Sequence, residues 1–456
     1  MKNKNYIITA AQACANPHKN FMSGLEKYAK EHDSEIVILP ILGKEAKEDI
    51  SQVSDLFKQY HIVNGMFLFN SNIKTDQFYI RPQQVDPITG LNRFAQQDQT
   101  LIVGSGKQRM KAIPHSNKKM PKYLVSTGAC TVPRYATGED VSSERRRLGK
   151  IAVRDHTIGA IVLEVVDSES FHMRHIRANN DGIFVDFGQK YNGNNVTKSA
   201  LEALVLGDWH NNAPSSDPVA KQAAYDLIAE TQPKRLILHD FFDGHSVSHW
   251  IGKRFIEHKL IQQMDNQGHL LELELQRGYE ELVKLSQAVG NGIIYLAHSN
   301  HHDFLNRYLN EGRFMQDPPN ARIAFKLASY MAEKDYNNPL EAGIKMMGKL
   351  PKNIVFLGYD EDLKVRGFQL GAHGDKGPRD GRGDMTTKEN DYGKSITGHV
   401  HQAQILRNTY TVGTTALPLT PYYMRGFPTA SSHSHAMLWD NGAVQLIHVI
   451  DGKYRK

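Results

Sequence analysis

Two aspartates, an asparagine and several histidines recur in short ordered islands through the second half of this chain. They are Gly207-Asp208-Trp209-His210, His239-Asp240-Phe241-Phe242-Asp243, Ser299-Asn300-His301 and Gly398-His399-Val400-His401, with Gly371-Ala372-His373-Gly374 between the last two. Carboxylate is a hard oxygen donor and imidazole a borderline nitrogen donor. A mixed Asp/His/Asn set without thiolate suits Mn²⁺ foremost, with Fe, Zn or Mg as alternatives. Two such ions about 4 Å apart can hold both sides of a phosphorus centre and lower the pKa of water between them. No single island is specific. Asp-x-His occurs by chance, and any one of 22 histidines is by default exposed or satisfied in a core. The order of all five pieces makes the set specific, together with the strand-like run ahead of each of the first three.

Those runs are the elements that must position the donors. Leu204 to Leu206 reads as a strand ending at Gly207-Asp208, Arg235 to Leu238 as one ending at His239-Asp240, and Ile293 to Leu296 as one delivering His298 to His301. Helices alternate with them. Asp217-Pro218 caps one that runs to about Glu230. A long insertion carries helices near Lys253 to Gln263 and Leu270 to Ala288, and others follow over Phe304 to Asn310, Asn320 to Glu333 and Pro339 to Met347. From Ile354 onward strands dominate, ending in Ala436 to Trp439 and Val444 to Val449. The fold class is α/β, expected as a two-layered β core with helices outside and the donors on one rim.

The chain of 456 residues exceeds what one core usually serves, so two domains are expected, 1–198 and 199–456. The first is a mixed α/β unit: Tyr6 to Ala10, Glu35 to Leu39, Met66 to Phe69 and Leu101 to Val103 read as buried strands, with a helix over Phe21 to His32. Further strands are expected at Tyr123 to Ser126, Gly159 to Val166, Phe171 to Arg177 and Gly182 to Phe187. The Asn-rich segment Lys190 to Lys198 is the linker candidate. Val103-Gly104-Ser105-Gly106-Lys107-Gln108 only faintly resembles a phosphate-cradling loop, because Leu101 and Gln108 occupy its Gly and Ser/Thr positions. It reads as a strand-terminating turn.

The apolar fraction of 40 % and charged fraction of 23 % are ordinary for a soluble globular chain. No stretch is apolar enough to span a bilayer, no secretory signal is evident, and two cysteines make no disulfide framework. These features point to the cytoplasm. A net charge of +6 suits an anionic partner without identifying one. Lys107, Arg109, Lys111, Lys118, Lys119 and Lys122 form one basic cluster, and Arg145, Arg146, Arg147 and Lys150 another. Each reads either as a solvated loop or as a phosphate-tracking surface.

The ordered islands resemble the calcineurin-like metallophosphoesterase superfamily, whose pattern runs Asp-x-His, Gly-Asp-x-x-Asp, Gly-Asn-His-Asp/Glu, His, Gly-His-x-His. The resemblance covers about residues 201–450. It implies a β-sandwich flanked by helices with a dinuclear metal centre on its edge. By the same resemblance Asp208, His210 and His401 hold one divalent ion, Asn300, His373 and His399 hold the second, and Asp240 bridges. His301 sits beside the scissile phosphate as the catalytic residue, with Asp243 supporting. The chain departs from the pattern at His239 and Ser299, which replace glycines, and at His302, which stands where an acid usually orients the catalytic histidine. Asp303, one residue on, or another carboxylate must do that orienting, and His298 and His302 are rivals to His373 as ligands.

The glycine-rich run Gly371 to Gly383 offers backbone NH groups with Lys376, Arg379 and Arg382 as substrate-binding cations. Aromatics and Arg425 between Leu419 and Phe427 read either as a platform for bases or as core packing. His433 and His435 read as structural or exposed. The basic N-terminal unit ahead of the phosphoesterase region resembles phage-encoded DNA nucleases of the superfamily. The expectation is a metal-dependent DNA nuclease that assembles as a homo-oligomer and works in the host cytoplasm if phage-encoded. Its rivals are a phosphatase or phosphodiesterase of small nucleotides and a catalytically vestigial DNA-binding or scaffold protein.

Overall fold

Short apolar runs form parallel strands, and this chain assembles four of them side by side, the first two buried almost throughout and the last two partly exposed. A computed structural model describes residues 4–42, 53–95, 99–115, 120–211, 216–248, 270–377, 384–416 and 429–456. In it Leu201–Val205, Arg235–Leu238, Ile293–Leu296 and Ile354–Phe356 are hydrogen-bonded in parallel, in that order. Ser434–Trp439 and Val444–His448 extend the sheet antiparallel beyond Leu201–Val205. Side chains alternate between two cores. Ala203, Val205 and Ile237 belong to one apolar cluster, and Leu204, Leu236, Leu238, Ile294 and Leu296 to another packed under helices. The register shifts between Leu201 and Ala203, a bulge that puts Leu201 on the helix-covered side with Leu204.

The first cluster is shared with a ten-stranded sheet. Its strands run Lys364–Val365, Phe368–Gln369, Ser395–Thr397, Thr409–Thr411, Gln404–Leu406, Ser105–Ile113, Lys122–Gly128, Thr100–Val103, Ile73–Thr75 and Phe67–Asn70. A five-stranded sheet holds Asn5–Gln12 parallel to Ser34–Ile41, and Ile8 and Val37 join the same apolar cluster. The fold is mixed α/β with several sheets. Among the described residues, no helix is long and apolar enough to cross a membrane.

Four expectations need correction. Residues 1–198 do not form a separate sheet system, because Gln404–Leu406 pairs directly with Ser105–Ile113 (Ile405 opposite Met110, Leu406 opposite Arg109). The linker candidate is a hairpin: Gln189–Asn192 pairs antiparallel with Asn195–Lys198 around Gly193 at φ +55°. The two-residue loop Gly193-Asn194, with glycine first, is a hairpin-turn signature, and the polar flanks concealed it. The first basic cluster is neither a loop nor a phosphate surface over its described part. Lys107 and Arg109 lie within the nine-residue strand Ser105–Ile113 and Lys122 begins the next, and all three are buried. Lys107 meets Asp155 at 3.3 Å, Arg109 meets Asp86 at 3.2 Å, and Lys122 donates to Asn72. A helix over Met385–Tyr392 interrupts the strand-rich C-terminal region, capped by the Asp384 carboxylate accepting from Thr387 N–H. Lys118, Lys119, the helix expected over Lys253 to Gln263 and the aromatic segment from Leu419 to Phe427 lie outside the described residues.

The sheets hold histidines in dry surroundings. His175, on Phe171–Arg177, donates to Ser126 O at 3.0 Å, and burial pulls its imidazole down to about 4. The unfolded chain keeps the ordinary value near 6.5. Between those values the unfolded state binds more protons, so stability is full above pH 6.5 and falls as pH drops toward 4. This one group accounts for on the order of 3 kcal/mol of that fall. We predict that the urea midpoint drops steeply from pH 7 to 4.5 and that His175→Gln flattens the drop. Equal pH dependence in both proteins would contradict the assignment.

Candidate metal centre

The carboxyl ends of the parallel strands open on one rim, where side chains from successive loops can converge. The loops after Leu201–Val205 and Arg235–Leu238 extend the pairing beyond the strands: Trp209 N–H donates to His239 O at 2.9 Å and His210 N–H to Asp240 O at 2.8 Å. Asp208 and Asp240 are thereby carried to the rim together. The strand Ile293–Leu296 leads to Asn300 and His301. The facing sheet contributes the rest: Phe368–Gln369 leads to His373, and Ser395–Thr397 to Gly398, His399 and His401. The two sheets meet closely at Gly398, where a Cβ would collide with Asp208 Oδ1. That contact is the physical reason for glycine in the Gly-His-x-His piece.

Two groups of donors share one aspartate, and a further group joins His210 to Asp243 and His301. Asp208, His210, Asp240 and His401 each place a donor atom within 4.8 Å of the others, and so do Asp240, His373 and His399. Asp240 Oδ2 faces both groups, 3.9 Å from His210 Nε2 and 3.2 Å from His373 Nε2. His401 Nε2 stands 3.1 Å from Asp208 Oδ2 and 3.2 Å from His210 Nε2. Asn300 joins the second group, its Oδ1 lying 3.0 Å from His399 Nδ1. His298 and His302 are in neither group. His298 pairs with Asp303 at 3.2 Å, and His302 is buried behind it.

Burial and charge fit a cation. Asp208 and Asp240 are 0 % and 1 % exposed. Asp208 Oδ1, Asp240 Oδ1 and His373 Nδ1 are buried with no hydrogen-bond partner. Such atoms are expensive to leave alone. Burial opposes ionisation of Asp240, yet the neighbouring His301 and His373 hold its carboxyl well below the usual range. Burial also disfavours charge on His373, but Asp240 and Asp208 push it up to about 9. The pocket thus draws positive charge to the point that a divalent ion would occupy. His210, Asp240, His399 and His401 all have positive φ, from +41° to +73°. Non-glycine residues hold such backbone angles where function demands it. His239 and Ser299, the two replacements for glycine, are not among the positive-φ residues.

Support for the ligands differs from expectation at one point. Asp243 accepts from His210 Nδ1 at 2.9 Å, which fixes that ring with Nε2 toward the centre. The backbone carbonyl of Asp243 accepts from His301 Nδ1 at 2.6 Å. His301 is therefore oriented by a peptide oxygen and not by Asp303 or another carboxylate. Asp303 instead accepts from His298 and from the Tyr359 hydroxyl, which lies 2.8 Å from Asp303 Oδ2 and 3.4 Å from Asp375 Oδ2. Lys376 sits over the Tyr359 ring, 3.9 Å from Asp303. Tyr359 thus fastens the loop bearing His373 to the loop bearing Asn300 and His301. Arg379 and Arg382 lie outside the described residues. His433 bonds Asp217 and Thr414 O, and His435 accepts from Gly207 N–H, so both are structural.

Sequence reading missed Tyr359 and Lys388. Tyr359 follows the fourth parallel strand, as the donors follow the other three. Lys388 is buried, donates to Thr397 Oγ1 at 3.1 Å, and is pulled down to about 8 by burial. Its spacing of three from the buried Met385 is the signal for an inward face.

We predict two Mn²⁺ ions per chain by calorimetric titration, and a thermal stabilisation of about 2.7 kcal/mol for each ion at a hundredfold excess over its dissociation constant. Tyr359→Phe keeps the ring and loses both hydrogen bonds. It should weaken one ion by about 10-fold and leave the other unchanged. Two unaltered ions in that variant would remove the fastening role, and no stabilisation of the parent protein by any divalent metal would remove the centre. The chain is similar to Protein A1 of Escherichia phage T5, 25 % identical over 483 aligned residues that cover 99 % of this chain and 83 % of that protein. No protein-family profile matches this chain, and no solved structure matches it.

Proposed function

We propose that this chain is a metal-dependent phosphodiesterase, a DNA nuclease built on a metallophosphoesterase β-sandwich. The observation that carries the reading is the pair of buried donor groups joined at Asp240. The sandwich reading is supported by one apolar cluster shared between the six- and ten-stranded sheets, with helices over the outer face of the former. Similarity to a phage protein is consistent with a phage-encoded enzyme acting in the host cytoplasm.

Asp208, His210 and His401 would hold one divalent ion, Asn300, His373 and His399 the other, and Asp240 both. The donor set favours Mn²⁺, with Fe, Zn or Mg as alternatives. When bound, the ions supply Lewis-acid polarisation and a more acidic water. The protein's own groups do the rest. Asp243 and the other buried partners lock the imidazoles before substrate arrives, so no reorganisation is needed as charge develops. His301 has Nδ1–H committed to Asp243 O, which leaves Nε2 facing the centre 3.9 Å from Asp240 Oδ2. Its side chain is 23 % exposed, against 0 % for His373, so it stands on the solvent side where a phosphodiester enters. Burial disfavours its charged form, but Asp240 and Asp243 raise its pKa overall. A protonated His301 can offset charge on the phosphoryl oxygens or protonate the departing oxygen. Lys376 at the rim supplies a cation for the phosphate backbone.

The test is cleavage of linear and circular duplex DNA in Mn²⁺, followed on a gel. His301→Ala should lower the rate by about 10²- to 10⁴-fold with metal still bound. Asp240→Ala should abolish both cleavage and the metal-induced stabilisation. Hydrolysis of bis-p-nitrophenyl phosphate without any cleavage of DNA would turn the reading to a small-nucleotide phosphodiesterase. Full DNA cleavage by His301→Ala would remove the proposed role of that residue.

A further inference from the structure

Of the two basic clusters in the sequence, the described part of the first is largely internal, whereas the second lies outward on the helix Ser143–Arg154. The inner face of that helix packs at Gly149 and Ala152, and a Cβ at Gly149 would collide with the carbonyl of Ala136. The helix is therefore seated directly on the backbone of the preceding loop. Arg146 reinforces the seat by donating to Gly138 O, Glu139 O and Val141 O. Arg147, Lys150 and Arg154 follow at i, i+3 and i+7 and share the opposite face, where all three are exposed. Among the described residues, Arg147 and Lys150 have no ion-pair partner, and Arg154 rests against Asp155 at 2.8 Å with its side chain 67 % exposed.

The position of this face gives it meaning. Glu389, on the helix Met385–Tyr392, pairs with Arg407 and acts electrostatically on Arg154. The adjoining Lys388 reaches inward to Thr397, two residues before His399. One short helix thus links Arg154, through Glu389 and Lys388, to the strand that leads to His399. We propose that Arg147, Lys150 and Arg154 form a phosphate-tracking strip that holds duplex DNA alongside the candidate metal centre. The inference rests on the nuclease reading above and extends it to a binding footprint. Rises of about 4.5 and 6 Å along the helix separate the three cations, so they can meet successive phosphates of one strand. The helix has no aromatic residue on which a base could stack, and aromatic platforms are what hold single strands. Cations alone suit a duplex backbone, and they position it without reading sequence.

The experiment is fluorescence anisotropy of a labelled mixed-sequence duplex with the full-length protein in EDTA, titrated at several salt concentrations. Arg147→Ala/Lys150→Ala should reduce the slope of log affinity against log salt by about 2, one unit for each lost phosphate contact. It should leave bis-p-nitrophenyl phosphate hydrolysis in Mn²⁺ unchanged. The charge-preserving Arg147→Lys/Lys150→Arg should retain the parental slope. An unchanged slope in the alanine variant overturns the strip while leaving the nuclease reading intact, provided the parent still cleaves DNA. A parent that hydrolyses the small diester but neither binds nor cleaves duplex overturns the nuclease reading itself. Loss of binding to an acidic polypeptide, with duplex binding retained, would assign the face to a protein partner and overturn the proposal.

Discussion

Asp208 and Asp240 are withdrawn from water at the rim where two sheets meet. A desolvated carboxylate is costly unless an opposite charge stands against it. Here His301 and His373 set opposite charge against Asp240, and backbone and side-chain bonds among four loops hold His210, His301 and His399 in place. The polar rim constrains much of the surrounding structure. It requires glycine at 398, left-handed backbone at four donors, and strands that end at matching heights. These features cost stability individually, and they persist together because the surrounding apolar clusters hold both sheets in place.

Donor types were legible in the sequence because they are short, ordered and placed after apolar runs. The strands feeding Asp208 and Asp240 were legible because burial leaves an almost uninterrupted apolar signal, and the strand feeding Asn300 because its residues are apolar even where Ile293 is exposed. Other features were concealed by compensation inside the fold. Ser105–Ile113 reads as a basic loop because Lys107, Arg109 and Lys111 break its pattern. Two of those cations are buried only because Asp155, Asp86 and carbonyls far away in sequence receive them. Local pattern cannot announce a partner 296 positions away, such as Ile405 O for Arg109. Orientation of His301 was hidden in a similar way. Its partner is a peptide carbonyl, which every residue has, so no residue type could betray it.

The resemblance names side chains that the structure brings together, but not the architecture around them. It points to a self-contained phosphoesterase region after residue 198, whereas the sheet bearing His399 continues across that boundary. Arg109 donates across the seam to Ile405 O at 2.7 Å, and Arg177 donates to Arg407 O at 3.0 Å. A second tie is buried. Asp186 binds Arg174 and Tyr28 from the first part of the chain and accepts from Gln445 of the last, whose Oε1 in turn accepts from Trp439.

These ties explain why the first part of the chain bears on the centre without supplying a ligand to it. His399 and His401 leave a three-residue strand, Ser395–Thr397, which is too short to be stable alone. Its neighbours Thr409–Thr411 and Gln404–Leu406 are equally short, and they gain a long partner only at Ser105–Ile113. The nine-residue strand is thus the rigid backing for the loop that closes both donor groups. Its buried cations follow from that position, because a strand covered on both faces must neutralise whatever charge it carries. Of the cations that resemble a nucleic-acid surface in the sequence, Arg109 therefore ties this strand to Gln404–Leu406, and the outward basic face falls to the helix Ser143–Arg154.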